Sequence, residues 1–224
     1  MANSVIKADN LTLAYKVDEP VIKNSSFDIN SGSFVFITGP SGSGKSTLIK
    51  SFYGALKPVG GELVIGGVSL HDIRPSKLNF LRKYLGIIFQ DYKLINEWTI
   101  KKNVMLPLLI AGYSKEVCEN QAKKLLKHVR LSHKADRYPL ELSGGEQQRV
   151  AMARALAHNP VIILADEPTG NLDDYSSNLI WNLLVGANEQ LGTTVVVVTH
   201  HIPSDIRISY RHFHIEDGTI YEVS

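Results

Sequence analysis

The chain has 224 residues, with 24 Lys and Arg against 22 Asp and Glu, and it is 44% hydrophobic and 21% charged. Near-neutral charge on this much apolar sequence excludes a disordered chain and a polybasic nucleic-acid binder, and fits one domain with a substantial core, or a domain with a subdomain. The single cysteine, Cys118, rules out an internal disulfide and points to a reducing compartment.

The opening MANSVIKADNLTLAY has no long apolar core behind basic residues, so no secretory signal is expected and the protein is expected to stay in the cytosol. No apolar run approaches the roughly 20 residues of a membrane span, so any membrane association is expected to be peripheral. Repeats and linker-like blocks are not visible. Up to about residue 67, the runs SVIKADNLTLAY, PVIKNSSFDI, SFVFITG and GELVIGG alternate with turn residues and predict a β-rich layer. From about 75 to 133 the spacing lengthens to a helical period, with Val117, Ala122, Leu125, Leu126 and Val129 on one face, and predicts a helical insert. VIILADEP and TTVVVVTHH are too uniformly apolar for half-exposed strands and predict central parallel strands covered on both faces.

Between the third strand and the helix expected over 44–52 lies GPSGSGKST: Gly39, Pro40, Ser41, Gly42, Ser43, Gly44, Lys45, Ser46 and Thr47. A phosphate chain needs close backbone approach, which Gly39, Gly42 and Gly44 permit, so amide N–H groups can turn inward around it. Lys45 supplies the counter-charge, the helix start favours an anion, and Ser46 can coordinate magnesium. Phosphoryl transfer also asks for an acid beside the metal and another beside the attacking water. VIILADEP offers Asp166 for magnesium or its water shell and Glu167 as general base.

The tract LSGGEQQRVAMARAL, 142–156, resembles the signature of the ATP-binding cassette (ABC) ATPases. A capping box explains Ser143 with Glu146, but not the paired Gly144 and Gly145 or the match running on through Arg149. The resemblance extends over essentially the whole chain. It implies an α/β fold of the ABC P-loop NTPase type, with a RecA-like core, an N-terminal antiparallel β subdomain and a helical subdomain. One nucleotide-binding domain over 1–224 is expected, with core and β subdomain in 1–90 and 158–224 and the helical subdomain with its signature in 91–157.

By the same resemblance Tyr15 looks like the aromatic that stacks on adenine, and Gln90 like the glutamine that touches magnesium and reports occupancy to a membrane partner. Asp173, in GNLDD, is similar to the acid that joins two ATP sites across a dimer, and His200 resembles the switch histidine at the γ-phosphate. His201 stands where much of the family has Asp. The implied cofactors are ATP and Mg2+, and the implied reaction is ATP hydrolysis. The implied assembly is a head-to-tail homodimer formed on ATP, with Ser143 and Gly145 of one copy closing over nucleotide on Lys45 of the other.

With no second cassette and no coiled coil, the chain resembles stand-alone subunits that serve a separate membrane protein. Three neighbouring families share ADEPTGNLD, at 165–173: the division ATPases of the FtsE type, the lipoprotein-release LolD type and MacB-type exporters. The 80–112 tract, with Asp91 after Gln90 and then Leu94, Ile95 and LPLLIAG, looks like the FtsE type. That resemblance implies an FtsX-like integral membrane partner whose outer portion regulates peptidoglycan hydrolases, a peripheral place on the cytoplasmic face of the inner membrane, and no nucleic acid. The expected partner surface is near Gln90 and includes Leu106, Leu108, Leu109 and Ile110. The Lys123, Lys124, Lys127, Arg130 and Lys134 group reads as a solvated helix face. An ATP-dependent binding module or scaffold at the division site stays open beside the enzyme reading.

Overall fold

The structure, a computed structural model, describes residues 3–16, 18–170 and 172–223. In chain order the elements are β1 (Ser4–Ala14), β2 (Pro20–Asn30), β3 (Phe34–Thr38), α1 (Lys45–Phe52), β4 (Gly60–Ile65), β5 (Val68–Ser69), α2 (Pro75–Arg82) and β6 (Leu85–Ile88). Then come α3 (Ile100–Ala111), α4 (Lys115–His128), α5 (Gly144–Leu156), β7 (Ile162–Asp166), α6 (Asp174–Leu191), β8 (Thr194–Val198), β9 (Arg211–Glu216) and β10 (Thr219–Val223).

Two sheets form. An antiparallel sheet runs β2-β1-β4-β5, and a six-stranded sheet runs β10-β9-β3-β8-β7-β6, in which only β10 is antiparallel to its neighbour. The apolar face of β1 changes phase between Ala8 and Leu11, where the register slips and Asn10 takes a positive φ of 47°. This bulge keeps Ile6, Ala8, Leu11 and Leu13 all facing inward. Opposite it only glycine fits at position 61, because a Cβ there would lie 2.1 Å from the Asn10 carbonyl oxygen.

The central strands are buried on both faces, which is why their sequences do not alternate. Val35, Ile37, Ile162, Leu164, Val196 and Val198 face the antiparallel sheet and pack with Leu11, Leu48 and Phe52. Their neighbours Phe34, Phe36, Ile163, Ala165, Val195 and Val197 face the helices and pack with Val104, Leu126, Val150 and Leu184. Each such side chain contributes about 1.5–3 kcal/mol relative to exposure.

Two sequence expectations need correction, and one hairpin carried no expectation. LGII, inside the stretch expected to be helical, is strand β6, paired in parallel with β7 from Leu85 opposite Ile162 to Ile88 opposite Ala165. Four residues are too few to show a period, and pairing in the sheet decides them. On α4 the inward face is Cys118, Ala122 and Leu126, followed by Val129, while Val117 is exposed. Finally, β9 and β10 were not anticipated, although Asp217-Gly218 between apolar alternations, both at positive φ, is a hairpin turn signal.

Gly86 locks β6 beneath α5: a Cβ there would sit 2.6 Å from the Ala155 carbonyl oxygen and 3.0 Å from Pro160. Gly86→Val is therefore expected to destabilise the fold by about 3 kcal/mol, at the upper end for overpacking. Urea denaturation checks this, and an unchanged midpoint would show that β6 and α5 are not in backbone contact.

Candidate active site

The register of the parallel strands brings distant tracts to one edge. Ile37 of β3 and Asp166 of β7 both pair with Val198 of β8, and Ile88 of β6 pairs with Ala165 of β7. Residues just beyond these positions, Gly39, Gln90, Glu167 and His200, therefore all leave the sheet at its C-terminal edge, where open α/β sheets bind ligands.

The glycine loop is shaped by backbone no other residue can supply. Gly39 has φ +154°, and a Cβ on it would meet the Ile215 carbonyl oxygen at 2.5 Å and Ser43 Oγ at 2.6 Å. Gly44, at φ 106°, precedes α1 with no side-chain cap, so the first amides of that helix have no side-chain acceptor from this position. Lys45 is buried and donates to the carbonyl oxygens of Gly39 at 2.9 Å and Pro40 at 3.0 Å. Burial pulls its pKa below the usual lysine value, and the charges of Glu167 and Asp166 oppose that shift. Ser43 Oγ is buried without a partner among the described residues, as a donor kept for a ligand would be. Pro40, Ser41, Gly42 and Thr47 complete the loop, with Thr47 buried and Ser41 exposed.

Ser46 Oγ donates to Asp166 Oδ1 at 3.3 Å, joining the loop to the end of β7. Burial raises the Asp166 pKa, and the Ser46 hydrogen bond only partly offsets it. Glu167 has a positive φ of 47°, held by donation from its N–H to the Val198 carbonyl oxygen at 2.9 Å. Such backbone costs about 1–3 kcal/mol and recurs at functional sites. His200 Nε2 lies 3.4 Å from Glu167 Oε1, out of line for a hydrogen bond, so that buried oxygen has no hydrogen-bond partner among the described residues. His201 is held through its backbone, its N–H donating to Thr199 Oγ1 at 3.3 Å and its carbonyl accepting from the same hydroxyl at 3.1 Å.

Tyr15 follows β1 and is 61% exposed, with Lys50 of α1 donating to its hydroxyl at 3.4 Å. Gln90 is exposed. The turn after it, with Tyr92 and Lys93 both at positive φ, is braced by Arg154, whose guanidinium donates to the two carbonyl oxygens at 2.7 and 2.6 Å. Burial lowers the Arg154 pKa to about 10. Sequence reading passed over Arg154 because one arginine in a helical run carries no distinctive spacing.

Ser143, Gly144 and Gly145 stand apart from the loop: among the described residues no hydrogen bond or ion pair joins them to 39–47. Ser143 and Glu146 form a reciprocal capping box at the start of α5. Burial would raise the Glu146 pKa, but Lys134 and the Ser143 N–H outweigh it and hold the carboxyl below its usual range. A Cβ on Gly145 would lie 2.6 Å from Ser176 Oγ, so this glycine is needed for contact with α6. Asp173 caps α6, accepting from the Ser176 N–H and hydroxyl at 2.9 Å each, and these bonds lower its pKa, the backbone N–H most. Asn171, in the same shared tract, lies outside the described residues.

A loop that can wrap phosphate, two carboxylates and a histidine converging on one strand edge define a nucleotide hydrolase. The family model described as ABC transporter matches residues 22–170. The chain belongs to that family and is an ABC ATPase. It is 39% identical to the cell division ATP-binding protein FtsE of Escherichia coli K12 over 97% of each chain. It is also 39% identical to the lipoprotein-releasing system ATP-binding protein LolD of Buchnera aphidicola, over 99% of this chain and 98% of that one. Among solved structures, the ATP-binding cassette MJ0796, a dimer in a post-hydrolysis state bound to ADP and Pi, matches with a TM-score of 0.89 and 41% identity over 97% of each chain.

His200→Ala is expected to cut steady-state ATP turnover by about 100-fold, while His201→Ala leaves it within a few-fold. The reverse order would overturn the assignment of His200. Asp166→Asn is expected to abolish turnover yet raise the melting temperature at neutral pH. Because burial raises the native Asp166 pKa, its contribution favours folding below the unfolded-state pKa and is lost as pH rises through the native value. The gain from Asp166→Asn should therefore shrink in acid, and thermal melts across pH test this.

Proposed function

We propose that this ATPase is the FtsE-like subunit of a membrane complex, closing head to tail on a second copy around two ATP molecules. The observation that carries the dimer is the separation of the loop at 39–47 from an exposed Ser143 and Gly144 at a helix start, two phosphate-suited elements that do not meet within one chain. Tyr15 would stack on adenine, residues 39–47 would wrap the phosphates, and Ser143, Gly144, Gly145 and Asp173 would complete the site from the second copy.

Among the described residues no group of three or more His, Cys, Asp or Glu side chains is placed to hold a metal by itself. Ser46 and Asp166 nevertheless fit Mg2+, which is commonly held by one carboxylate, a hydroxyl and substrate phosphates, with Gln90 in reach of the same edge. Bound magnesium would neutralise charge on the phosphates. Glu167 takes a proton from water as the water oxygen bonds the γ-phosphorus; the bond from phosphorus to the bridging oxygen breaks, leaving ADP and phosphate. His200 sits beside Glu167 to contact the γ-phosphate side.

No helix among the described residues is long and apolar enough to cross a membrane. A cavity of about 520 Å³ lies beside the Gln90 turn, with an apolar floor that includes Leu85, Ile87, Leu106 and Ile110 and with Arg154 on its wall. We assign it to the membrane partner; it lies between residues 79–89 on one side and an arm formed by residues 91–157 on the other. Of the four residues expected on that surface, Leu106 and Ile110 line the cavity, Leu108 is core, and Leu109 is exposed outside it. Similarity to FtsE supports an FtsX-like partner and a role in regulating peptidoglycan hydrolysis during division, with the subunit peripheral on the cytoplasmic face of the membrane. Equal identity to a LolD makes lipoprotein release the second reading.

Glu167→Gln is expected to lower turnover by at least about 100-fold while keeping ATP binding. In Mg–ATP this variant should sediment as a dimer, and it should retain an FtsX-like protein when purified from gently solubilised membranes. A monomer both alone and with partner would overturn the closure mechanism, and recovery of a lipoprotein-release or export permease would overturn the division role. Normal division with Glu167→Gln would show that binding alone suffices.

A further inference from the structure

Strand β9 carries two histidines that the nucleotide site as described above does not use. Phe213 and Ile215 are buried toward the sheet-to-sheet core, so His212 and His214 project from the opposite face, the one shared by Phe36 and Thr38. There Thr38 Oγ1 lies 2.7 Å from His212 Nε2 and 2.9 Å from His214 Nδ1. Thr38 is buried and is the residue immediately before Gly39. A cavity of about 630 Å³ opens on this face, lined by Thr38, Gly39, Pro40, His200, His212 and His214, among others.

One hydroxyl between two imidazoles sets a constraint. The Thr38 proton serves only one ring nitrogen, so with neutral rings the other ring must donate its N–H to the hydroxyl oxygen. If both rings are protonated, both nitrogens are donors, the hydroxyl proton loses its acceptor, and two positive rings stand 6.5 Å apart on one strand. The effect would pass directly to the loop. The Ile215 carbonyl abuts Gly39 at the distance a Cβ would forbid, and the Gly39 and Pro40 carbonyls hold the Lys45 ammonium.

We infer that His212 and His214 are positioning residues of the phosphate loop, acting through Thr38, and that their protonation weakens ATP binding. Burial first, and His214 second, hold the His212 pKa below its usual value. The other charged or titratable groups facing the pair are placed. Tyr221 of β10 lies 5.6 Å from His214 and donates to Glu216, Arg211 is committed to Glu222 and Asp28, and His200 and His201 border the same cavity. The inference rests on the ATP-site reading, and the test separates the two.

ATP affinity is measured by binding, apart from turnover, for the full chain at neutral pH and about one unit below the histidine range. The nucleotide's own protonation is common to all variants and cancels between them. The His212→Ala/His214→Ala pair should weaken ATP binding about tenfold at neutral pH, the factor set by about one hydrogen bond, with kcat changed far less. His212→Gln/His214→Gln, which keeps donors and acceptors but cannot titrate, should recover neutral-pH affinity and lose the extra acid weakening of the wild type. Thr38→Val should remove that weakening too. An acid response in the Gln pair equal to wild type, or unchanged affinity in the Ala pair with a native melt, overturns the inference. A wild type that binds ATP without hydrolysing it would overturn the hydrolytic assignment alone.

Discussion

Strand β8 is the crosspiece of the molecule. It lies between the strand that ends in the phosphate loop and the strand that ends in two carboxylates, and its last residues bond to both. The Val198 carbonyl accepts from the Glu167 N–H, and the Thr199 N–H donates to the Ile37 carbonyl. A one-residue slip at either seam would exchange the faces of the strand and move the acids away from the loop. The five-residue β8 is buried throughout, so its register is specified from both sides of the sheet. Catalytic geometry here is thus a consequence of core packing, and the positive φ of Glu167 is held in place by a bond to that crosspiece.

The charges at this edge are costly to hold in place within the protein alone. Lys45 and Asp166 are both pushed by burial toward their neutral forms. Glu167 Oε1 and Ser43 Oγ are buried with no hydrogen-bond partner among the described residues. On the proposed reading, a bound polyphosphate with its cation would answer these demands at once, giving Lys45 a counter-charge, the hydroxyl an acceptor and the acids a positive centre. Ligand binding to the folded state alone adds to its stability by mass action, so these costs become part of the discrimination for nucleotide.

Sequence reading recovered what local chemistry writes compactly. Gly39 through Thr47 are contiguous, and the loop's glycines stand where the backbone needs them; VIILADEP and TTVVVV are uniform because both faces of their strands are covered. The stretches it misread depend on partners far along the chain. LGII becomes a strand only by pairing with β7, and the inward face of α4 is set by where α3 and α5 lie, which places Cys118 inside and Val117 outside. Arg154 was invisible for the same reason, since its function is to brace two carbonyls more than sixty positions away in sequence. His212 and His214 show a period-two pattern in RHFHIE, but their meaning comes only from the parallel pairing that sets them beside Thr38.

Arg154 also suggests how the two halves of the site communicate. It lies on α5, the helix that begins with Ser143, and it holds the turn that follows Gln90. On the same helix Gln148 donates to the Pro168 carbonyl at 2.6 Å, one residue beyond Glu167. One helix therefore carries Ser143 at its start and touches the turn after Gln90 and the segment after Glu167, the residue proposed as general base. On the proposed closure, a second copy that displaced α5 would pull on both the Gln90 turn and the Glu167 segment, because Arg154 and Gln148 are buried and hydrogen-bonded to them. On that reading, α5 is the element through which the two regions are joined by direct hydrogen bonds.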